Sequence, residues 1–176
     1  MKDTAERLMD MAEAHIRHAG YGGFSFRDLA AEAGIKSASV HHHFPTKATM
    51  AAAVARRYAD RFFTAVAPRD GESTDDVITV YRSLFKASLS RTGKICLFGV
   101  LGAEAGGLAP EVADEIRSFF QRCIEDLSRR ISGPNAQARA FQVLATLHGA
   151  MMLANIYHDI EAFEQATKSL MLPLCE

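Results

Sequence analysis

The chain has 176 residues, 48% of them hydrophobic, and carries 20 Lys and Arg against 21 Asp and Glu, for a net charge of -1 and a pI near 6.7. It is long and apolar enough for one or two small domains with real cores, which excludes a disordered chain. The balanced charge excludes a uniformly basic protein, so any nucleic-acid face must come from local asymmetry.

Leu8, Met11, Ala12, His15, Ile16 and Ala19 recur at helical spacing until Gly20, Gly22 and Gly23 stop the pattern, which predicts a first helix. Its Asp3, Glu6, Asp10 and Glu13 leave no apolar signal-peptide core, so a non-exported, cytoplasmic chain is expected. Ser25 and Asp28 form a variant capping box ahead of a short second helix with Phe26, Leu29, Ala30 and Ala33 on its buried stripe, and Gly34 ends it. A third helix starts near Ser37 and must finish by Phe44, because Pro45 keeps the residue before it out of the α region. Thr46 caps a fourth, which runs to about Ala67.

After a loop at 68–71, Ser73 and Asp76 cap a fifth helix to about Ser90, and Gly93 separates it from an apolar sixth through Ile95, Leu97, Val100 and Leu101. Pro110 opens a seventh helix to Ile131, Gly133 and Pro134 precede an eighth, and a ninth covers roughly 159–171. Residues 140–158 contain no Asp, Glu, Lys or Arg and approach the length of a membrane span. Gln142, Thr146, His148 and Asn155 dilute that apolarity, so a buried helix and no membrane association are expected. With no strand alternation or repeat, the fold class is all-α with about nine helices, divided into domains at 1–57 and 58–176.

A short helix, a turn at Gly34 and a second short helix are the parts of a helix-turn-helix, whose second member enters the major groove of DNA. Ala30 is small where the helices cross, and Ile35 and Val40 supply apolar contacts between them. At about 100° per residue, Val40 and Phe44 point to the core. Ala38 and His42 then face outward with Ser39 and His43 beside them, and Ser37 and His41 take the other flank. Between residues 33 and 59 there is no Asp or Glu, while Lys36, Lys47, Arg56 and Arg57 fall inside, which marks a candidate phosphate face. Lys47 stands in the first turn of helix four, where the dipole disfavours a cation unless an anion joins it. The helix N–H groups, the Thr46 hydroxyl and Lys47 thus form one candidate phosphate site, and Ser25 with Arg27 at the start of helix two another. A solvated Lys47 and a Ser25 that only caps fit the same residues. Adjacent His41, His42 and His43 cannot converge on one ion, so no metal site is expected there, and with no nucleophile motif or cofactor loop no catalytic residue or cofactor is expected either.

These residues together resemble the DNA-binding domain of TetR-family regulators. The resemblance rests on Gly20-Tyr21 ahead of the capping Ser25, Gly34 in the turn, and His42, His43, Phe44, Pro45 and Lys47 in the family's Tyr-His-His-Phe-Pro-Ser-Lys ending. Lys36, Ser37, Ala38 and Ser39 stand where the family has Ser-Lys-Gly-Thr, and His41 stands for its usual Tyr, so the operator sequence cannot be carried over from relatives. The resemblance implies backbone contact by His42, and implies that helices five to nine bind a small-molecule effector and form a homodimer through helices eight and nine.

Ala145, Gly149, Met152 and Ile156 form a stripe that favours that dimer contact, with packing within one subunit as the other reading. Candidates for an apolar effector pocket are Tyr81, Phe85, Phe98, Phe120, His148, Met152 and Asn155, each also readable as plain core. His148 and Asn155 are expected as buried polar groups needing partners. Cys96 follows Gly93, Lys94 and Ile95 at the expected start of helix six, where helix N–H groups and an ammonium favour a thiolate. The Cys96-Leu97 and later Ala103-Glu104 resemble a subgroup in which some members sense electrophiles or oxidants; a buried, inert Cys96 is the other reading. Cys96, Cys123 and Cys175 are too widely spaced for a disulfide framework or structural zinc.

The function expected is a repressor released from a near-palindromic double-stranded operator by a small molecule or by an electrophile or oxidant. An activator would look identical at this level. A helical enzyme using His148 and Cys96 lacks any nucleophile motif or cofactor loop, and a helical module that ignores DNA is separated by duplex binding.

Overall fold

The computed structural model describes residues 3–171. Their elements are α1 (Thr4–Ala19), α2 (Phe26–Ala33), α3 (Ser37–His43), α4 (Lys47–Ala65), α5 (Thr74–Thr92), α6 (Leu97–Glu104), α7 (Pro110–Arg130), α8 (Ala136–Tyr157) and α9 (Ile160–Thr167). Short 3-10 turns lie at Tyr21–Gly23, Ala105–Gly107 and Lys168–Met171, and there is no strand among the described residues. Cys175 lies outside them.

The caps read from the sequence set the helix starts. Ser25 Oγ accepts from the Asp28 N–H at 3.2 Å, Thr46 Oγ1 from the Thr49 N–H at 3.0 Å, and Ser73 and Asp76 make a reciprocal capping box. Two boundaries move. α4 stops at Ala65, short of Ala67, and α6 begins at Leu97, after Ile95 and Cys96. The Lys94 carbonyl accepts from the Ser88 hydroxyl, which engages the chain after α5 before a new helix can form.

The chain divides into two compact units, one of residues 1–61 and 97–119, the other of 62–96 and 120–176. In the first, α1, α2 and α3 pack on one another around Leu8, Ala12, Ile16, Leu29 and Val40, all fully buried, and α6 packs on α1. Phe98 of α6 stacks on Phe119 of α7 at 3.9 Å between ring centres and meets Tyr58 of α4 edge-on, which anchors this part of the unit.

In the second unit α8 packs on α5 and α9. Arg130 closes it from below the surface, forking onto Glu72 at 2.6 and 2.9 Å while also donating to Asp126 and the Val66 carbonyl. A buried guanidinium is tolerable here because two carboxylates and a carbonyl meet its donors. Tyr81 donates to the same Asp126 at 2.8 Å, and burial raises its pKa, so it stays a neutral phenol.

Candidate nucleic-acid interface

Helix α3 turns its residues as the sequence periodicity requires. Val40 is fully buried and Phe44 nearly so, while Ser37, Ala38, Ser39, His41 and His42 are exposed. Gly34 makes the turn between α2 and α3 with φ 69° and ψ 32°, and its N–H and that of Ile35 return to the last carbonyls of α2. Lys36 precedes α3 in extended conformation, and its carbonyl accepts from the Ser39 N–H. His41 leans edge-on against Phe26 with ring centres 4.8 Å apart, which fixes its imidazole on the α2 side of the exposed surface.

The two expected phosphate sites differ. At the start of α2, Ser25 already accepts from the Asp28 N–H and donates to the Asp28 carboxylate at 2.6 Å. That bond holds the Asp28 pKa below its ordinary value, so a carboxylate already stands at this helix end beside the exposed Arg27. At the start of α4, the Lys47 ammonium lies 4.7 Å from the centre of the Tyr21 ring and 4.6 Å from that of Phe24. Both rings attract it through their quadrupoles. Burial lowers its pKa, and the Glu104 carboxylate opposes that loss. Thr46 is exposed beside it.

The acid-free stretch at 33–59 is not acid-free in space. Arg57, only 17% exposed, meets Glu6, Asp10 and Glu13 of α1, and Arg56 pairs with Glu115 of α7. Two of the four cations are therefore committed within the unit, leaving Lys36 and Lys47 on the candidate face. Sequence reasoning also missed Tyr21 and Phe24 as the walls around Lys47, and Glu104 behind them; the Gly-Tyr and Ala-Glu pairs were the available signals.

The expected effector residues do not form one group. Tyr81, Phe85, Phe120 and His148 belong to the second unit, where His148 sits between Phe85 and Phe120 with ring centres 4.9 and 5.1 Å away. Its Nε2 is buried with no hydrogen-bond partner among the described residues, and burial pushes its pKa down to about 4. Phe98 belongs to the first unit. Cys96 is 3% exposed and lies just before α6 rather than in its first turn. Cys123 is also buried, which raises its thiol pKa.

Asn155 was expected inside and is exposed, because the last turns of α8 present that face to solvent. It lines an open cavity of about 430 Å³ with Leu89, Ser90 and His158. Met152 is exposed on the same helix, away from the ring cluster around His148. With Phe141, Leu153, Ile156, Tyr157 and Ile160 it forms an apolar surface on α8 and α9. Ala145 and Gly149 are exposed too, so the small-residue stripe is not packed within the subunit.

Among the described residues no helix is long and apolar enough to cross a membrane, and no three His, Cys, Asp or Glu side chains are grouped to hold a metal ion.

Residues 8–54 match the family described as bacterial regulatory proteins, tetR family. No curated protein matches the chain. Among solved structures, a TetR transcriptional regulator from Legionella pneumophila is 26% identical, with 97% of this chain and 96% of that one covered and a TM-score of 0.88. A TetR-family regulator from Agrobacterium tumefaciens is 24% identical over 95% of both chains, also with a TM-score of 0.88. E. coli NemR in its reduced form is 24% identical over 96% of this chain and 95% of that one, with a TM-score of 0.80.

Proposed function

We propose that this chain is a TetR-type, ligand-responsive, DNA-binding transcriptional repressor whose operator face is α3 with the first turns of α2 and α4. It works by binding rather than catalysis, and dimerises through its C-terminal helices.

The observation that carries the reading is the exposed polar face of α3 beside a Lys47 held by two rings. Ser37, Ala38, Ser39 and His42 are small or polar and can approach base edges closely. His41, Lys36, Thr46 and Lys47 meet the backbone, as do Ser25 and Arg27 once the Asp28 carboxylate has yielded. Residues 1–57 carry DNA binding and 58–176 effector binding and dimerisation. The dimer sets its two recognition helices about one DNA turn apart on a near-palindromic site. An effector acts through its different affinity for the DNA-bound and released forms. Its contacts are sought among Tyr81, Phe85, Phe120 and His148 of the second unit, with Cys96 as the point of attack if the signal is an electrophile or oxidant.

The test is binding of the purified protein to duplexes selected from a randomised library, across a salt series. Lys47→Ala weakens binding to every sequence and lowers the salt slope by about one. Ser39→Ala leaves the slope and changes the preferred bases. Equal losses across sequences, with both slopes unchanged, would contradict the assignment.

A further inference from the structure

Two charges in the first unit stand at the wrong ends of their own helices. Lys47 opens α4, where the dipole disfavours a cation, and Glu104 closes α6, where it disfavours an anion. Each lies in the field of the other. Tyr21 is the element between them. Its backbone N–H donates to both Glu104 oxygens, at 3.1 and 3.3 Å, while its ring forms one wall of the Lys47 site.

The preceding residue is set by its backbone conformation, and the carboxylate occupies the room that a missing Cβ leaves. A Cβ on Gly20 would fall 2.0 Å from Glu104 Oε1, and Gly20 has φ 75° and ψ -172°, a conformation open only to glycine. Gly20 therefore admits the carboxylate, and the carboxylate fixes the start of the turn that presents Tyr21 and, three residues on, Phe24.

We propose that Glu104 is a positioning residue for operator binding: by gripping the Tyr21 N–H it holds the aromatic walls that aim the Lys47 ammonium at a DNA phosphate. It touches no DNA itself. The inference rests on the assignment of Lys47 as a phosphate contact. It gives the Ala103-Glu104 pair a role in the first unit, separate from any chemistry at Cys96.

The experiment measures affinity of the full-length protein for one selected operator duplex, with Lys47→Ala, Glu104→Ala, Glu104→Gln and the Lys47→Ala/Glu104→Ala double variant, each checked for an unchanged thermal midpoint. Glu104→Ala is expected to bind about fivefold more weakly, because a charge-assisted bond on an exposed carboxylate is lost. Glu104→Gln keeps an acceptor oxygen and should stay within about twofold of the parent chain. In the Lys47→Ala background Glu104→Ala should cost nothing further, because there is no ammonium left to aim. Amide exchange at Tyr21 should quicken in Glu104→Ala and not in Glu104→Gln. Tighter binding by Glu104→Ala would make Glu104 a competitor for Lys47 and overturn the proposal. So would an equal loss in both backgrounds, or no loss. A Lys47→Ala variant with an unaltered salt slope would instead remove the phosphate assignment, and the inference with it.

Discussion

His148 sits between two phenyl rings with its Nε2 buried and unpartnered, and such an imidazole is stable only while neutral. The unfolded chain takes up this proton near the ordinary value of 6.5, the folded chain only near about 4. Between those values the unfolded state holds more protons, so stability rises with pH across that window and is level above it. From pH 7 to pH 5 this one group should cost about 2 kcal/mol, and His148→Leu should remove that share from a urea-denaturation series at fixed protein concentration. An unchanged pH dependence in His148→Leu contradicts the assignment. Cys96 presents the opposite difficulty, since a sulfur 3% exposed must be reached before it can react. If it is the sensor, oxidant abolishes duplex binding by the parent chain and leaves Cys96→Ser bound. An identical response of the two chains removes Cys96 from the mechanism.

Among the elements, the α2–α3 turn depends most on one residue. Nothing lies within 4 Å of a Cβ built at Gly34, so its requirement is conformational: φ 69° at the end of α2. Gly34→Ala should therefore lower stability by about 1 kcal/mol, with Gly34→Asn closer to neutral, as read by thermal unfolding. If Ala and Asn cost the same, local strain is not the cause. Helix starts were legible in the sequence because Ser25, Thr46 and Ser73 act on N–H groups three residues away, a local chemistry. The start of α6 was not, because Ile95 and Cys96 are apolar and fit either a helix or a buried coil.

At the scale of the molecule, the proposed dimer would make the apolar surface of α8 and α9 control DNA binding through symmetry. Ile156 and Tyr157 are 61% and 68% exposed in one subunit, a cost that a second copy would relieve by covering them. Ile156→Glu buries a carboxylate in that contact, so sedimentation equilibrium should show monomer at micromolar concentration. Operator affinity should fall at least about tenfold, because each monomer holds a single half-site. A dimeric Ile156→Glu protein would move the interface elsewhere.

The sequence by itself determined the all-α class, the helix-turn-helix, its outward residues and the resemblance to TetR-type DNA-binding domains, because periodicity, caps and the Gly34 turn are short-range. Only the tertiary structure decided which charges are available to a partner. Arg56 and Arg57 look like part of a basic face until α1 and α7 bring carboxylates to them. Lys47 reads as either a phosphate contact or a solvated charge until Tyr21 and Phe24 are found against its ammonium, and Glu104 lies 83 residues from the N–H it holds. Coulomb and hydrogen-bond energies depend on distance in space, which a linear pattern of residues does not contain.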